Sequence, residues 1–441
     1  MTKHLVFLSI PGLRNQDVPS MPSLQNLMSG GDATSLVPSF PCVTWPVQAN
    51  MLTGKPPSQH GVVANGFFWR DEQRVEMWTA WNDKILAPQV WDILHERDPS
   101  LTSAVWFPML SKGCGADYVC MPAPVHNPDG SESLWCYTKP TELYGELRDE
   151  LGHFPLRHFW GPLAGIASSA WIADSAVLAA QRYRPNFFYL YLPHLDYAAQ
   201  RSGPDSEPAL QALGELDTVI GRLADGVRAA LKSDDVLFVA ASEYVIAPVD
   251  HVTYPNRLLR KAGLLRVREE DDGEHLDLGG SRAWALADHQ MAHVFVKDGA
   301  AETVACVEEL FRGVEGIDEV LTGAEHGRYQ LNHERSGEVI LVSTPRSWQA
   351  YYWWFEDACA PSYARTVDIH RKPGYDPVEL CLDPDTKSIP LDATLICGSH
   401  GAPAADPTQC GALLASRSGV LDPHPVVDTE VIRIILRHFE E

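Results

Sequence analysis

The 441-residue chain has no long apolar run, no CxxC pair, no internal repeat or low-complexity tract, and too few basic residues to balance its acids. Nothing in it approaches the ~20 consecutive apolar residues of a membrane span, so a spanning helix is excluded and no membrane partner is expected. The opening "MTKHLVFLSIPGLR" carries only a short apolar run with no small-residue cleavage site after it. It therefore reads as a first buried strand and not as a signal peptide. Nine scattered cysteines, an odd number, argue against both a disulfide framework and a structural zinc cluster, and fit a reducing cytoplasm. Lys plus Arg number 35 against 58 Asp plus Glu, a formal charge of −23, and no basic patch offsets it. A nucleic-acid partner is excluded on that ground, and a phosphate ester would need a bound cation to enter such a field.

What the chain does have is a series of short apolar runs joined by helical patterns. "LVFLSI" (5–10), "SAVWF" (103–107), "NFFYLYL" (186–192) and "DVLFVAAS" (235–242) read as buried strands of a mostly parallel sheet. Between the last two, Leu210, Leu213, Leu216, Ile220, Leu223, Val227 and Leu231 recur at helical spacing, and "GIASSAWIADSAVLAAQRY" gives another helix before the third strand. The fold class expected is α/β, a mostly parallel central sheet flanked by helices, with right-handed βαβ crossovers. Residues 1–250 and 391–441 are expected to form this core, with an irregular Pro-, Gly- and Trp-rich excursion at about 114–159. The shorter strands "AHVFVKD" and "GEVILVST" around the helix "AAETVACVEELFRGV" suggest an inserted α+β subdomain at 251–390. "ATLICGSHG" is expected to bring the chain back to the main sheet, and "DTEVIRIILRHFEE" to close it as a helix.

Open parallel sheets bind ligands at the carboxyl ends of their strands, so polar residues just after apolar runs are candidates for chemistry. Thr44 follows "SLVPSF", Asp196 and Gln200 follow "YLYLPH", Glu243 follows "LFVAAS", and His400 follows "TLICGS". Singly, each has an ordinary structural explanation as a helix cap or a solvated loop residue. Together, in the segments "PCVTWP", "TGKPPSQHGVVAN", "LDYAAQRSGP" and "GSHG", they form a pattern.

That pattern resembles the alkaline phosphatase superfamily, in its nucleotide pyrophosphatase/phosphodiesterase branch, which also includes phosphonoacetate hydrolases. The resemblance implies an alkaline phosphatase-like fold and a nucleophilic Thr44 that forms a phospho-threonine intermediate, assisted by two metal ions about 4 Å apart. It assigns Asn65 to a phosphate oxygen, has the Thr44 amide help cradle the phosphoryl group, and gives His60 a loop-bracing part. The substrate implied is a small-molecule phosphate or phosphonate ester or a pyrophosphate.

Three positions depart from the family pattern. Pro11 stands where an Asp ligand belongs, Tyr244 replaces a His beside Glu243, and Gln200 replaces a His four residues after Asp196. The ligand set that carries over is Asp196, Gln200, Glu243 and His400, richer in oxygen than a two-zinc site, which shifts preference away from zinc towards harder ions such as Mg²⁺, Mn²⁺ or Ca²⁺; the cofactor expected is one or two divalent ions, Zn, Mn or Mg. His370, in "TVDIHRKPGYDP", and then His289, in "ADHQMAHVFV", are the expected substitute ligands, and the two cations of "RKPGY" are candidates to meet a phosphate. A zincin is excluded, because Gln290 and not Glu follows His289. The aromatic run "YYWWF" (351–355) and Cys42 read as core. The expected function is thus a metal-dependent phosphoester hydrolase acting through Thr44. The alternative is a pseudoenzyme or phosphate-ligand-binding protein that kept the fold without the two-metal centre.

Overall fold

A computed structural model describes residues 3–126, 132–233 and 235–440. The chain opens with β1 (His4–Ser9), β2 (Asp32–Val37) and helix α1 (Thr44–Thr53), then β3 (Ser103–Trp106), β4 (Tyr118–Pro122) and β5 (Cys136–Lys139). Next come α2 (Ile166–Tyr183), β6 (Phe187–Tyr191), α3 (His194–Ser202), α4 (Glu207–Leu231) and β7 (Val236–Ala241). A second group follows: β8 (Ala283–Asp288), β9 (Met291–Val296), α5 (Ala301–Phe311), β10 (Ile317–Thr322) and β11 (Val339–Ser343). The chain ends with β12 (Gly411–Ala415), β13 (Val426–Val427) and α6 (Val431–Glu440).

One nine-stranded sheet runs in the order β13-β2-β12-β7-β1-β6-β3-β4-β5. Its middle, β7, β1, β6, β3 and β4, is parallel, with Leu5 opposite both Phe187 and Leu237. Every residue of β1, β6 and β7 is buried, as strands covered by helices on both faces must be. The mostly parallel α/β core is therefore present as the sequence indicates. Helix α4 is capped by Ser206, whose hydroxyl accepts from the Ala209 amide at 3.3 Å, and buries Leu213, Leu216, Ile220, Leu223 and Val227. Leu210, counted above in the same stripe, instead points outward, 53 % exposed.

Two local expectations are corrected. The 114–159 segment is not only an excursion over the sheet: it supplies β4 and β5, the outermost strands of that edge. Its 127–131 stretch lies outside the described residues. The return to the main sheet is made by β12, antiparallel to β7 and β2, whereas "ATLICGSHG" contributes only Gly398–Ser399, paired with Ala247–Pro248.

Strands β8-β9-β11-β10 form a separate four-stranded sheet with its own apolar cluster. Tyr351, Tyr352, Trp353 and Trp354 are buried in it, while Phe355 is exposed. The tip of the β8–β9 hairpin, His289-Gln290, reaches the main domain, where the Gln290 amide donates to the His400 carbonyl at 3.0 Å. Among the described residues no helix is long and apolar enough to cross a membrane.

The "RKPGY" segment differs from expectation in a way that matters for the site. Lys372 is fully buried, its Nζ 2.8 Å from Asp376 Oδ2 and 2.6 Å from Glu379 Oε1. Arg371 is exposed and lies 3.8 Å from Asp368. The Lys372 charge is spent inside the protein, where it holds the segment that carries Tyr375. Lys372→Met leaves two buried carboxyls without their cation and is expected to cost about 3–5 kcal/mol of stability, read as a lowered urea midpoint.

Candidate functional site

Strands β1, β6 and β7 are neighbours and parallel, so their carboxyl ends open on one edge of the sheet, and the candidate residues gather there. Ser9 ends β1; Asp196 lies on α3, just after β6; Ser242 and Glu243 follow β7. Asp196 and Gln200, four apart on α3, share a helix face. Thr44 is the first residue of α1, after an extended Val43 with no side-chain cap. Asn65 Oδ1 accepts from the Trp45 amide at 2.9 Å and Pro46 has no N–H, while the Thr44 amide has no backbone partner among the described residues. His400 is held between two glycines: a Cβ at Gly398 would lie 2.2 Å from the Ala199 carbonyl oxygen, and Gly401 has φ +117°.

Thr44 Oγ1 lies 3.0 Å from the Tyr244 hydroxyl. The Tyr244 ring stacks on His400 at 3.6 Å and 6°, and His400 in turn meets His289 at 3.9 Å. His400 Nδ1 donates to the Cys42 carbonyl at 2.8 Å, which leaves Nε2 as a bare acceptor. That nitrogen is buried without a partner, 4.0 Å from Asp196 Oδ1, itself buried without a partner. Asp196 Oδ2 accepts from Gln200 Nε2 at 2.9 Å, and Gln200 Oε1 accepts from the Tyr375 hydroxyl at 2.8 Å. Glu243 Oε1 accepts from Ser9 Oγ at 2.6 Å and Gln48 Nε2 at 2.7 Å, while its Oε2 has no partner.

Burial dominates the electrostatics. It pushes the Asp196 carboxyl up to about 7 against the Gln200 bond, and Glu243 up to about 8 against the bonds from Ser9 and Gln48. Burial also holds His400 well below the ordinary imidazole value, with His289 adding to the effect, and keeps the Tyr244 phenol neutral.

These contacts test the metal centre that the resemblance implies. A second ion beside Thr44 does not fit: Pro11 offers no side-chain donor, and the Tyr244 hydroxyl stands against the Thr44 oxygen. Gln200 has its carbonyl oxygen engaged by Tyr375. The remaining position, between Asp196 Oδ1 and His400 Nε2, is different, because these two buried atoms lie 4.0 Å apart, neither with a hydrogen-bond partner, an arrangement that suits a cation displacing the carboxyl proton. The site does not bring three His, Cys, Asp or Glu donor atoms within 4.8 Å of one another; among the described residues only the largely exposed Glu270, Asp272 and His275 do so.

Of the two substitute ligands expected, His289 is brought into the site. It is buried, its Nδ1 2.7 Å from Asp288 Oδ1, and its ring stacks on Tyr375 at 3.6 Å. His370 is not: it is exposed, and its Nδ1 donates to the Met77 carbonyl at 3.1 Å. Asn65 is fully buried and tied by its amide and Nδ2 to Asp288 at 2.8 and 3.1 Å. His60 spans its loop, 2.7 Å from Asn50 Oδ1 and accepting from the Val62 amide.

The family model for type I phosphodiesterase/nucleotide pyrophosphatase matches residues 5–376. The chain belongs to that family. Among curated relatives, it is 23 % identical over 260 residues to an uncharacterized pyrophosphatase/phosphodiesterase of Schizosaccharomyces pombe, covering 56 % of this chain and 44 % of that one. It is 28 % identical over 233 residues to ectonucleotide pyrophosphatase/phosphodiesterase 2 of Saccharomyces cerevisiae, covering 50 % and 42 %. This member thus spans less than half the length of the curated relatives it matches. In fold it is similar to phosphonoacetate hydrolase of Sinorhizobium meliloti in complex with phosphonoformate (TM-score 0.64, 16 % identity, 99 % of this chain and 96 % of that one). It is also similar to murine ectonucleotide pyrophosphatase/phosphodiesterase 5, an inactive variant in complex with AMP (TM-score 0.63, 13 % identity, 99 % and 95 %).

Asp288 stands beside His289 in "ADHQMAHVFV", the segment already expected to supply a substitute ligand, whereas Tyr375 sits where no motif points to it. "ADHQ" as a polar hairpin tip between apolar strands is the signal for Asp288; Tyr375 has none beyond its place after Pro-Gly.

In this family member the two raised carboxyls give a pH signature. Without metal, the folded chain keeps protons on Asp196 and Glu243 that the unfolded chain releases near the ordinary carboxyl values, so the folded state binds more protons between about pH 4 and pH 8. Stability is therefore expected to fall as pH rises through that window, by an amount on the order of a few kcal/mol. Urea midpoints with chelator at pH 5 and pH 8 measure it, and Glu243→Gln should shrink the difference.

Proposed function

We propose that this family member hydrolyses a small phosphate or phosphonate ester, with Thr44 as the nucleophile. The observation that carries this reading is the place of the Thr44 hydroxyl: at the start of α1, at the edge of a cavity, and oriented by Tyr244 at 3.0 Å. In-line attack by Oγ1 on phosphorus forms the P–Oγ1 bond as the bond to the ester oxygen breaks; that oxygen leaves with the electron pair and takes up the proton the Thr44 hydroxyl gives up, and water then cleaves P–Oγ1, its oxygen staying on phosphorus and a proton returning to Thr44. The amide of Thr44 meets the phosphoryl oxygens at the positive end of the helix. Asn65 sets the geometry of that first turn from the side, through the Trp45 amide, and Asp288 fixes Asn65 in turn. Tyr244 positions the nucleophile and does not deprotonate it, since burial keeps its phenol neutral.

Asp196 and His400 are the residues that would hold a divalent cation here, and Glu243 lies in the same buried acidic pocket without a direct place on it. Such an ion would supply charge neutralisation at a phosphoryl oxygen, which no Lys or Arg among the cavity's lining residues provides. A second reading, a binding protein that retains the fold, is favoured by the saturated bonds of Gln200 and by the Tyr244–Thr44 contact.

The test separates the two. With Mn²⁺ and a panel of phosphoesters, Thr44→Ala should abolish turnover while leaving metal content unchanged by elemental analysis, and His400→Ala should lower metal content. Tyr244→Phe should reduce kcat about 10-fold or more with little change in KM, as for loss of an orienting contact. Metal binding and ligand affinity without turnover in the unaltered chain would select the binding protein.

A further inference from the structure

The cavity that opens on Thr44 has two unlike sets of lining side chains. Thr44, Asp196 and His289 make the polar set; the other is aromatic and apolar, chiefly Trp78, Trp160, Tyr197, Tyr375, Met109 and Ile369, and neither holds a Lys or Arg. We infer that the group carried by the phosphorus substrate is compact, uncharged and apolar, of the size of a single aryl ring or a branched alkyl chain, and that nucleotides and second phosphates are excluded. This rests on the proposed function for the phosphorus end and on the box itself for the other.

Three observations support it. The rings are tilted walls and not a parallel slot: Trp160 meets Tyr375 at 5.6 Å and 48° and Tyr197 at 6.2 Å and 67°, while Trp78 meets Tyr375 at 6.0 Å and 59°. A flat base sandwiched between rings needs two parallel faces, whereas crossed walls enclose a compact group. The polar handles of two walls are already engaged away from any ligand: Trp160 Nε1 donates to Glu379 Oε2 at 2.6 Å, and the Tyr375 hydroxyl to Gln200. Glu379 is in turn bound to buried Lys372, so these walls are fixed before a ligand arrives. The wall has no Lys or Arg to meet a second phosphate, so a pyrophosphate would bring its second charge to a surface without a cation.

The backbone is committed to this shape. Trp78 and His289, which both line the cavity, are held at φ 55° and 59°, a region a bulky side chain rarely adopts. Such strain persists only where the surroundings enforce it. Ile369 is half-buried on the rim, so enlarging it narrows the box without disturbing the core.

Calorimetry on the full chain with Mn²⁺ tests the inference, using phenylphosphonate, methylphosphonate, phosphocholine and AMP, with phenol alone as a probe that lacks phosphorus. Phenylphosphonate is expected to bind at least 10-fold tighter than methylphosphonate, with AMP and phosphocholine no tighter than methylphosphonate. Ile369→Trp should remove the phenyl advantage and leave methylphosphonate unchanged. Tighter binding of AMP or phosphocholine than of phenylphosphonate would overturn the inference, as would a phenyl advantage that survives Ile369→Trp. If no phosphonate binds at all, the phosphoester reading fails by itself. The box is then judged by phenol alone: binding that is lost in Ile369→Trp upholds it, and no binding, or binding indifferent to the substitution, refutes it.

Discussion

The structure is organised around buried negative charge that no basic side chain balances. Asp196, Glu243 and Asp288 all lie within the site, and none of them pairs with a Lys or Arg among the described residues. Neutral donors do the work instead: Ser9 and Gln48 on Glu243, Gln200 on Asp196, and the amide and side chain of Asn65 on Asp288. A hydrogen bond from a neutral group offsets only part of the desolvation cost of a carboxylate, which is why the two acids nearest Thr44 have raised affinities for protons. Ser9 ends β1, Gln48 lies on α1 and Gln200 on α3, so the placing of Asp196 and Glu243 follows from the parallel strands, whereas Asn65 and Asp288 meet from a loop and from β8.

That constraint also explains how the second sheet is used. Its β8–β9 hairpin places Asp288 against Asn65 and His289 against His400, and the later segment adds Tyr375 to Gln200. The main sheet and its helices provide Thr44, two acids and part of the cavity wall, Tyr191 and Tyr197 included, but not His289, Ile369 or Tyr375, nor the support of Asn65. The buried Lys372, with Asp376 and Glu379, secures that contribution at a distance from the reacting atoms, since Glu379 also accepts from Trp160.

The sequence displays the first layer of this arrangement plainly and the second hardly at all. The central strands and helix α4 follow from continuous apolar runs and from a 3.6-residue stripe, both local signals, and Thr44, Asp196, Glu243 and His400 follow from their place after such runs. Strands β4 and β5 are short and flanked by Pro and Gly, so their pairing is decided by tertiary contact and not by pattern. His370 fails as a ligand for a similar reason: its spacing from Asp368 suggests an extended face, but the loop turns it to solvent and to the Met77 carbonyl. Lys372 looks in sequence like a surface cation, and only the two acids that follow it at short range, Asp376 and Glu379, explain its burial.

Tyr244 brings these strands of argument together. In sequence it stands where the family resemblance expects a His ligand; in the structure its hydroxyl touches Thr44 and its ring covers His400. A neutral phenol oxygen is a far weaker ligand for a divalent cation than the sp² nitrogen of a neutral imidazole, so Tyr244 does not hold an ion where it touches Thr44. Pro11 stands where the resemblance expects a carboxylate. Pro11 and Tyr244, just after β1 and β7, thus offer a second cation neither carboxylate nor imidazole, and Asp196 and His400 are left as the pair of unsatisfied acceptors on which a single cation would settle.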